Sequence, residues 1–193
     1  RANWPINSSF TVNAARVPGA DRRRNDRSTL QRDTFCATPG KIRDGSDGLI
    51  ACDHVRLWRD DVKLIQSLGV DAYRLSISWP RVMRKDGSLN PAGVDFYIQL
   101  LDELKANQIK AFVTLYHWDL PQHLEDNGGW LNRETAYLFA DYADKISRAF
   151  GDRVYSYATL NEPFCSSYLG YEAGIHAPGL RSKAGGRQSA HHL

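Results

Sequence analysis

Apolar residues at positions 55, 58, 62, 65 and 68 (Val55, Trp58, Val62, Ile65, Leu68) recur at three- and four-residue steps. They predict a helix entered at Asp53 and stopped by Gly69. The period then changes, and AYRLSIS (Ala72–Ser78) reads as a strand. A loop with turn signals at Asp86-Gly87 and Pro91 leads to a second helical pattern through Phe96, Leu100, Leu101 and Leu104. KAFVTLYHW (Lys110–Trp118) is the next strand. After a long loop through Gly128-Gly129 comes a third helix, roughly 133–150, with Ala136, Phe139, Ala140, Ala143 and Ile146 facing inward. Gly151 ends it, and VYSYATLNEP (Val154–Pro163) supplies a third strand.

Strands alternating with helices at intervals of about 40 residues indicate parallel βα units. The strands are mostly apolar on both faces, as expected for a sheet covered by helices. A doubly wound sheet and a (β/α)8 barrel both fit the alternation. Polar groups gather at each strand end, at Arg74–Trp79, at His117-Trp118-Asp119 and at Asn161-Glu162, and no glycine-rich phosphate loop follows any of them. Convergence from several strand ends is how a barrel assembles a site.

Composition narrows the class. Of 193 residues, 42% are hydrophobic and 24% charged, which is ordinary for a globular chain. No stretch approaches the roughly 18–20 apolar residues of a membrane span, and the N-terminus shows no basic-then-apolar leader pattern. Cys36, Cys52 and Cys165 are an odd count without C-x-x-C spacing, so neither a disulfide framework nor a metal site is expected, and a reducing, cytoplasmic setting fits best. The net charge of +3 is uneven, because residues 1–32 carry seven arginines against two aspartates. That segment reads as a solvated, poorly ordered tail; a nucleic-acid arm is the weaker reading, since no aromatic residues interleave with the arginines.

The strongest chemical candidate is Glu162. A carboxyl at the mouth of a buried strand can be partly desolvated, so that it holds a proton near neutral pH and delivers it to a leaving group. Asn-Glu-Pro alone is weak, because Pro163 equally suits a strand exit. His117, after an apolar strand, reads by itself as a satisfied structural residue, and Asn161 as a plain strand end. Large aromatics such as Trp118 and Trp130 are usually packing.

Several segments together are decisive. DTFCATPGKIRDGSDGLIACDH (33–54), YRLSISWPRV (73–82), TLYHWDLPQHLEDNGGW (114–130), TLNEP (159–163) and GYEAGIHAPG (170–179) resemble glycoside hydrolase family 1, the β-glucosidases and their relatives. The resemblance implies a (β/α)8 barrel and retaining hydrolysis of a β-glucoside or oligosaccharide, without cofactor, metal or nucleic acid. Glu162 would be the general acid/base, Asn161 would hold the sugar 2-hydroxyl, and His117 would donate to a second hydroxyl. Trp118 would lie near the sugar and Trp130 mainly in structure. Arg74 would orient the nucleophilic carboxylate and keep it ionised. A cellulase-like retaining hydrolase that also uses Asn-Glu-Pro is the alternative enzyme; HWDLP and SWPRV argue against it. A non-catalytic sugar-binding protein is the alternative of another class.

The pattern is incomplete at both ends. The family's nucleophile lies in a Thr-Glu-Asn-Gly segment, and this sequence has none. About four of eight βα units are expected over 33–193, which implies a chain inactive by itself or complemented by a C-terminal half. Near the start, Thr11-Val12-Asn13-Ala14 stands where the resemblance calls for a sugar-binding Gln and then Ile-Glu-Gly, and nothing matches until Asp33. An abrupt break followed by strong likeness suggests, as a hypothesis, a shifted or misassembled reading frame.

Overall fold

The computed structural model describes residues 11–14 (backbone only), 27–45, 47 and 53–193. Four strands, β1 (Thr11–Ala14), β2 (Ala72–Ser76), β3 (Lys110–Tyr116) and β4 (Ser156–Leu160), form one parallel sheet in the spatial order β1-β2-β3-β4. Tyr73 lies beside Ala111, and Val113 beside Tyr157. Spatial order equal to chain order is the order of a barrel wall. A doubly wound sheet reverses direction at a switch point, and none of the strand order here does so.

The helices are α1 (Gln31–Ala37), α2 (His54–Ser67), α3 (Trp79–Val82), α4 (Pro91–Ala106), α5 (Gln122–Asp126), α6 (Glu134–Phe150) and α7 (Lys183–His192). A π-helical stretch, Cys165–Glu172, follows β4. The core lies between sheet and helices: Leu75, Ile77, Val113 and Leu115 from the β2 and β3 segments meet Leu100, Leu101 and Leu104 of α4 and Ile146 and Phe150 of α6. Burial of each such side chain is worth about 1.5–3 kcal/mol.

Local patterns were legible to within a few residues, with informative exceptions. Leu68, one residue past α2, is 61% exposed. Asp53 does not cap α2 through its side chain; its carboxylate pairs with Arg56 instead. In α6, Ala140 is exposed, and the inner face is built by Thr135, Tyr142, Ile146 and Phe150. Tyr142 can occupy that face because its hydroxyl donates to the Leu115 carbonyl at 2.9 Å while its ring stacks 4.8 Å from that of Trp79. An apolar count overlooks such a residue. SWPRV, read as loop, contains α3.

Two segments differ more. Residues 156–159 of β4 are exposed, although an apolar strand predicts burial, because among the described residues β4 pairs only with β3. The end of the Arg-rich segment, expected to be solvated, is integrated. Arg27 is 5% exposed and donates to Asp33 at 2.9 Å, and a bridge joins Leu30 to Pro121. Residues 1–10 and 15–26 of that segment lie outside the described residues.

Candidate active site

The sequence-predicted residues converge at the C-terminal ends of β2, β3 and β4. Arg74 on β2 reaches across the sheet: its Nε donates to Thr114 Oγ1 of β3 at 3.1 Å, and its Nη2 to Asn161 Oδ1, just beyond β4, at 2.6 Å. Asn161 is 9% exposed, and its backbone N–H continues the ladder to the Tyr116 carbonyl at 2.9 Å. The Trp118 indole N–H donates to the Asn161 carbonyl at 2.7 Å. One asparagine is therefore held from three sides, by Arg74, Tyr116 and Trp118.

His117 Nδ1 lies 2.8 Å from Ser76 Oγ. Ser76 follows Arg74 by two positions, so the two share a face of β2. Burial, and then the positive charges of Arg74 and Arg32, lower the His117 pKa against the opposing pull of Glu162. The ring is thus neutral at pH 7. Asp119 ties the ends of two strands together: it accepts from the Trp79 N–H at 2.9 Å and from the His117 N–H at 3.2 Å. Although part of the residue reaches solvent, its carboxyl is enclosed, and loss of hydration pushes its pKa up to about 6 against those two hydrogen bonds.

Glu162 is exposed at the rim, and its Oε2 accepts from the Cys165 thiol at 3.3 Å. Its φ is 41°, and that of Trp118 is 68°, both in the left-handed region that side chains avoid. Strain of this kind costs of order 1–3 kcal/mol per residue and persists where the surroundings over-determine the backbone. Here it falls on two of the residues that chemistry selected.

Trp130 is buried at 1% exposure, its indole N–H donating to the Tyr116 hydroxyl at 3.0 Å. Glu125 accepts from the Tyr171 hydroxyl at 2.5 Å and from Gln31 at 2.7 Å, and burial raises its pKa. Both residues belong to the scaffold behind the site. Sequence reasoning did not single out Ser76, Thr114, Arg32 or His176. Only the first two carried a signal, as polar residues in otherwise apolar strands. Among the described residues, no group of three or more His, Cys, Asp or Glu side chains could hold a metal ion, and no helix is long and apolar enough to cross a membrane.

Parallel strands in sequential order, with polar side chains collected at their C-terminal ends, define one class of protein, the (β/α)8 barrel with its site at the usual face. The description "Glycosyl hydrolase family 1" matches residues 9–193, and the chain belongs to that family. The match reaches back through the Arg-rich segment. The chain is 46% identical over 161 residues to β-glucosidase A of Thermotoga maritima, covering 83% of this chain and 36% of that protein. It is 50% identical over 163 residues to thermostable β-glucosidase B of Thermobispora bispora, covering 83% and 34%. The crystal structure of a β-glucosidase from Exiguobacterium antarcticum superposes with a TM-score of 0.88 at 40% identity, over 90% of this chain and 39% of that one. The family 1 β-glucosidase from Thermotoga maritima gives 0.86 at 41%, over 90% and 40%. The chain therefore spans only 34–36% of the length of these curated relatives.

Proposed function

We propose that this chain is the acid/base-bearing part of a retaining β-glycoside hydrolase of the β-glucosidase type. The observation that supports this most directly is the clamped Asn161, which fixes the backbone that presents Glu162. Glu162 protonates the glycosidic oxygen as the aglycone leaves, and then takes a proton from the water that resolves the glycosyl-enzyme intermediate. With Asn161 Oδ1 engaged by Arg74, its amide N–H groups are left to hold the sugar 2-hydroxyl, a bond that strengthens as positive charge develops on the ring. His117 donates from Nε2 to a second hydroxyl in the tautomer whose Nδ1 accepts from Ser76, and Trp118 offers a ring face to the pyranose. Arg74 adds a positive charge that favours an ionised nucleophile beside it.

Retention needs a second carboxylate about 5–5.5 Å from the first. The sequence has no Thr-Glu-Asn-Gly segment to supply it, so the chain alone is proposed to be inactive and to depend on a complementing C-terminal half. The exposure of β4, which among the described residues pairs with β3 alone, favours that second part of the reading. The free thiols of Cys36 and Cys165 accord with a cytoplasmic location.

Incubation with an aryl β-glucoside tests the proposal. The isolated chain should show no turnover, and mixing with a polypeptide carrying the remaining strands should restore activity that Glu162→Gln removes. Turnover by the isolated chain that Glu162→Gln abolishes would overturn the incompleteness. Activity of the complemented protein that survives Glu162→Gln would overturn the acid/base assignment.

A further inference from the structure

β2 brings two polar residues to one face. Leu75 and Ile77 turn into the core at 0% exposure, so Arg74 and Ser76, alternating with them, share the opposite side. The Arg74 guanidinium donates to Thr114 Oγ1 and to Asn161 Oδ1. Because a guanidinium can only donate, this contact fixes which end of the Asn161 amide is which: the oxygen meets Arg74, and the NH2 is left for another partner.

Ser76 stands in the same relation to His117. It is 6% exposed, and its Oγ lies 2.8 Å from His117 Nδ1, the one hydrogen bond that its hydroxyl forms among the described residues. Burial, and then the charges of Arg74 and Arg32, keep the imidazole neutral at pH 7, so one ring nitrogen carries a proton and the other a lone pair. Two arrangements fit the distance. If Nδ1 carried the proton, Ser76 would accept it, and the hydroxyl's own hydrogen would be buried without an acceptor. If Nδ1 carries the lone pair, the hydroxyl donates to it and no buried hydrogen is left unmet. An unmet buried donor is the costlier defect, since a hydroxyl oxygen tolerates an idle lone pair. The second arrangement puts the ring proton on Nε2.

We infer that Ser76 is a positioning residue that fixes the tautomer of His117, so that His117 Nε2 and the Asn161 amide both face the ligand as hydrogen-bond donors. Arg74 and Ser76, two positions apart on β2, thereby set the polarity of the site without touching the ligand: an oxygen that meets either group there has to accept. The meaning of this polarity rests on the sugar site proposed above, but the tautomer is read without any ligand. Long-range 1H–15N spectra of the purified chain at about pH 8 report which ring nitrogen holds the proton. His117→Gln, which removes the signal, identifies it among the six histidines. In the wild-type chain the Nε2–H form should exceed the Nδ1–H form by about tenfold or more, with Nδ1 showing the shift of a hydrogen-bonded acceptor. Ser76→Ala should move that ratio about tenfold toward Nδ1–H and erase the acceptor shift. Ser76→Thr, which keeps the hydroxyl, should retain the wild-type spectrum. A role in packing alone would not redistribute the proton. Nδ1–H as the main form in the wild type overturns the assignment, and that spectrum decides by itself if a variant fails to fold. A ratio and an Nδ1 shift unchanged by Ser76→Ala overturn it as well. The hydrolase reading is judged by turnover and by Glu162→Gln, neither of which enters this measurement.

Discussion

Asp119→Asn separates two opposing effects that the structure assigns to one carboxyl. The wild-type side chain accepts the N–H groups of Trp79 and His117, joining the ends of β2 and β3. Enclosure raises its pKa from an ordinary 3.8 to about 6. The folded state then holds this proton more tightly than the unfolded state, so the contribution to stability is greatest below pH 3.8. It falls as pH rises through the interval to about 6 and is constant above. At about 1.36 kcal/mol per pH unit, the loss at neutral pH is about 3 kcal/mol. Asparagine does not titrate, but it offers one acceptor to two N–H donors and leaves one unmet, at about 1–3 kcal/mol. The variant should therefore be less stable than wild type near pH 4, and equal to it or more stable at pH 7.5. Urea unfolding followed by tryptophan fluorescence at pH 4, 5, 6 and 7.5 measures this. The stability difference should swing by about 3 kcal/mol in favour of the variant as pH rises. Glu125, also raised by burial, titrates in both chains and cancels. A difference that stays constant across the range would refute the enclosure argument.

Three further expectations concern the scaffold. Trp130→Ala removes a 1%-exposed ring and its bond to the Tyr116 hydroxyl, and should cost about 3–5 kcal/mol in chemical denaturation; a loss below about 1 kcal/mol would show that the site is not packed as described. Gly93→Ala would place a Cβ 2.0 Å from the Arg81 carbonyl oxygen, and should destabilise by about 2 kcal/mol or more by forcing α4 away from α3; an unchanged unfolding midpoint would contradict that close approach. Tyr142→Phe keeps the stacking on Trp79 but deprives the buried Leu115 carbonyl of its donor, and thermal melts should register a loss of about 1–2 kcal/mol.

Much of this architecture was legible in the residue order. The helical runs at 54–67, 91–106 and 134–150 and the strands at 72–76, 110–116 and 156–160 follow from periodicity and turn residues, and residues destined for the site sit where the strands end. Periodicity misassigned Ala140 and overlooked Tyr142, because inward polar side chains are permitted wherever a carbonyl awaits them. It also overstated the burial of β4, since an apolar strand is buried only if something covers it. The short helix α3 went unread because its first N–H is held by Asp119, 40 residues later in the chain.

What the sequence alone determined is the family, the parallel βα order, and the identity of Glu162, Asn161, His117, Trp118 and Arg74 as candidates, because local periodicity and motif spacing are properties of neighbouring residues. Tertiary structure decided the rest: that Arg74 and Trp118 clamp Asn161 from the β2 and β3 segments, that Asp119 loses its hydration at a strand junction, and that Arg27, read as part of a solvated tail, is buried against Asp33. These are relations between residues tens of positions apart. Hydrogen-bond partnership and desolvation depend on distances in space, which linear order does not encode.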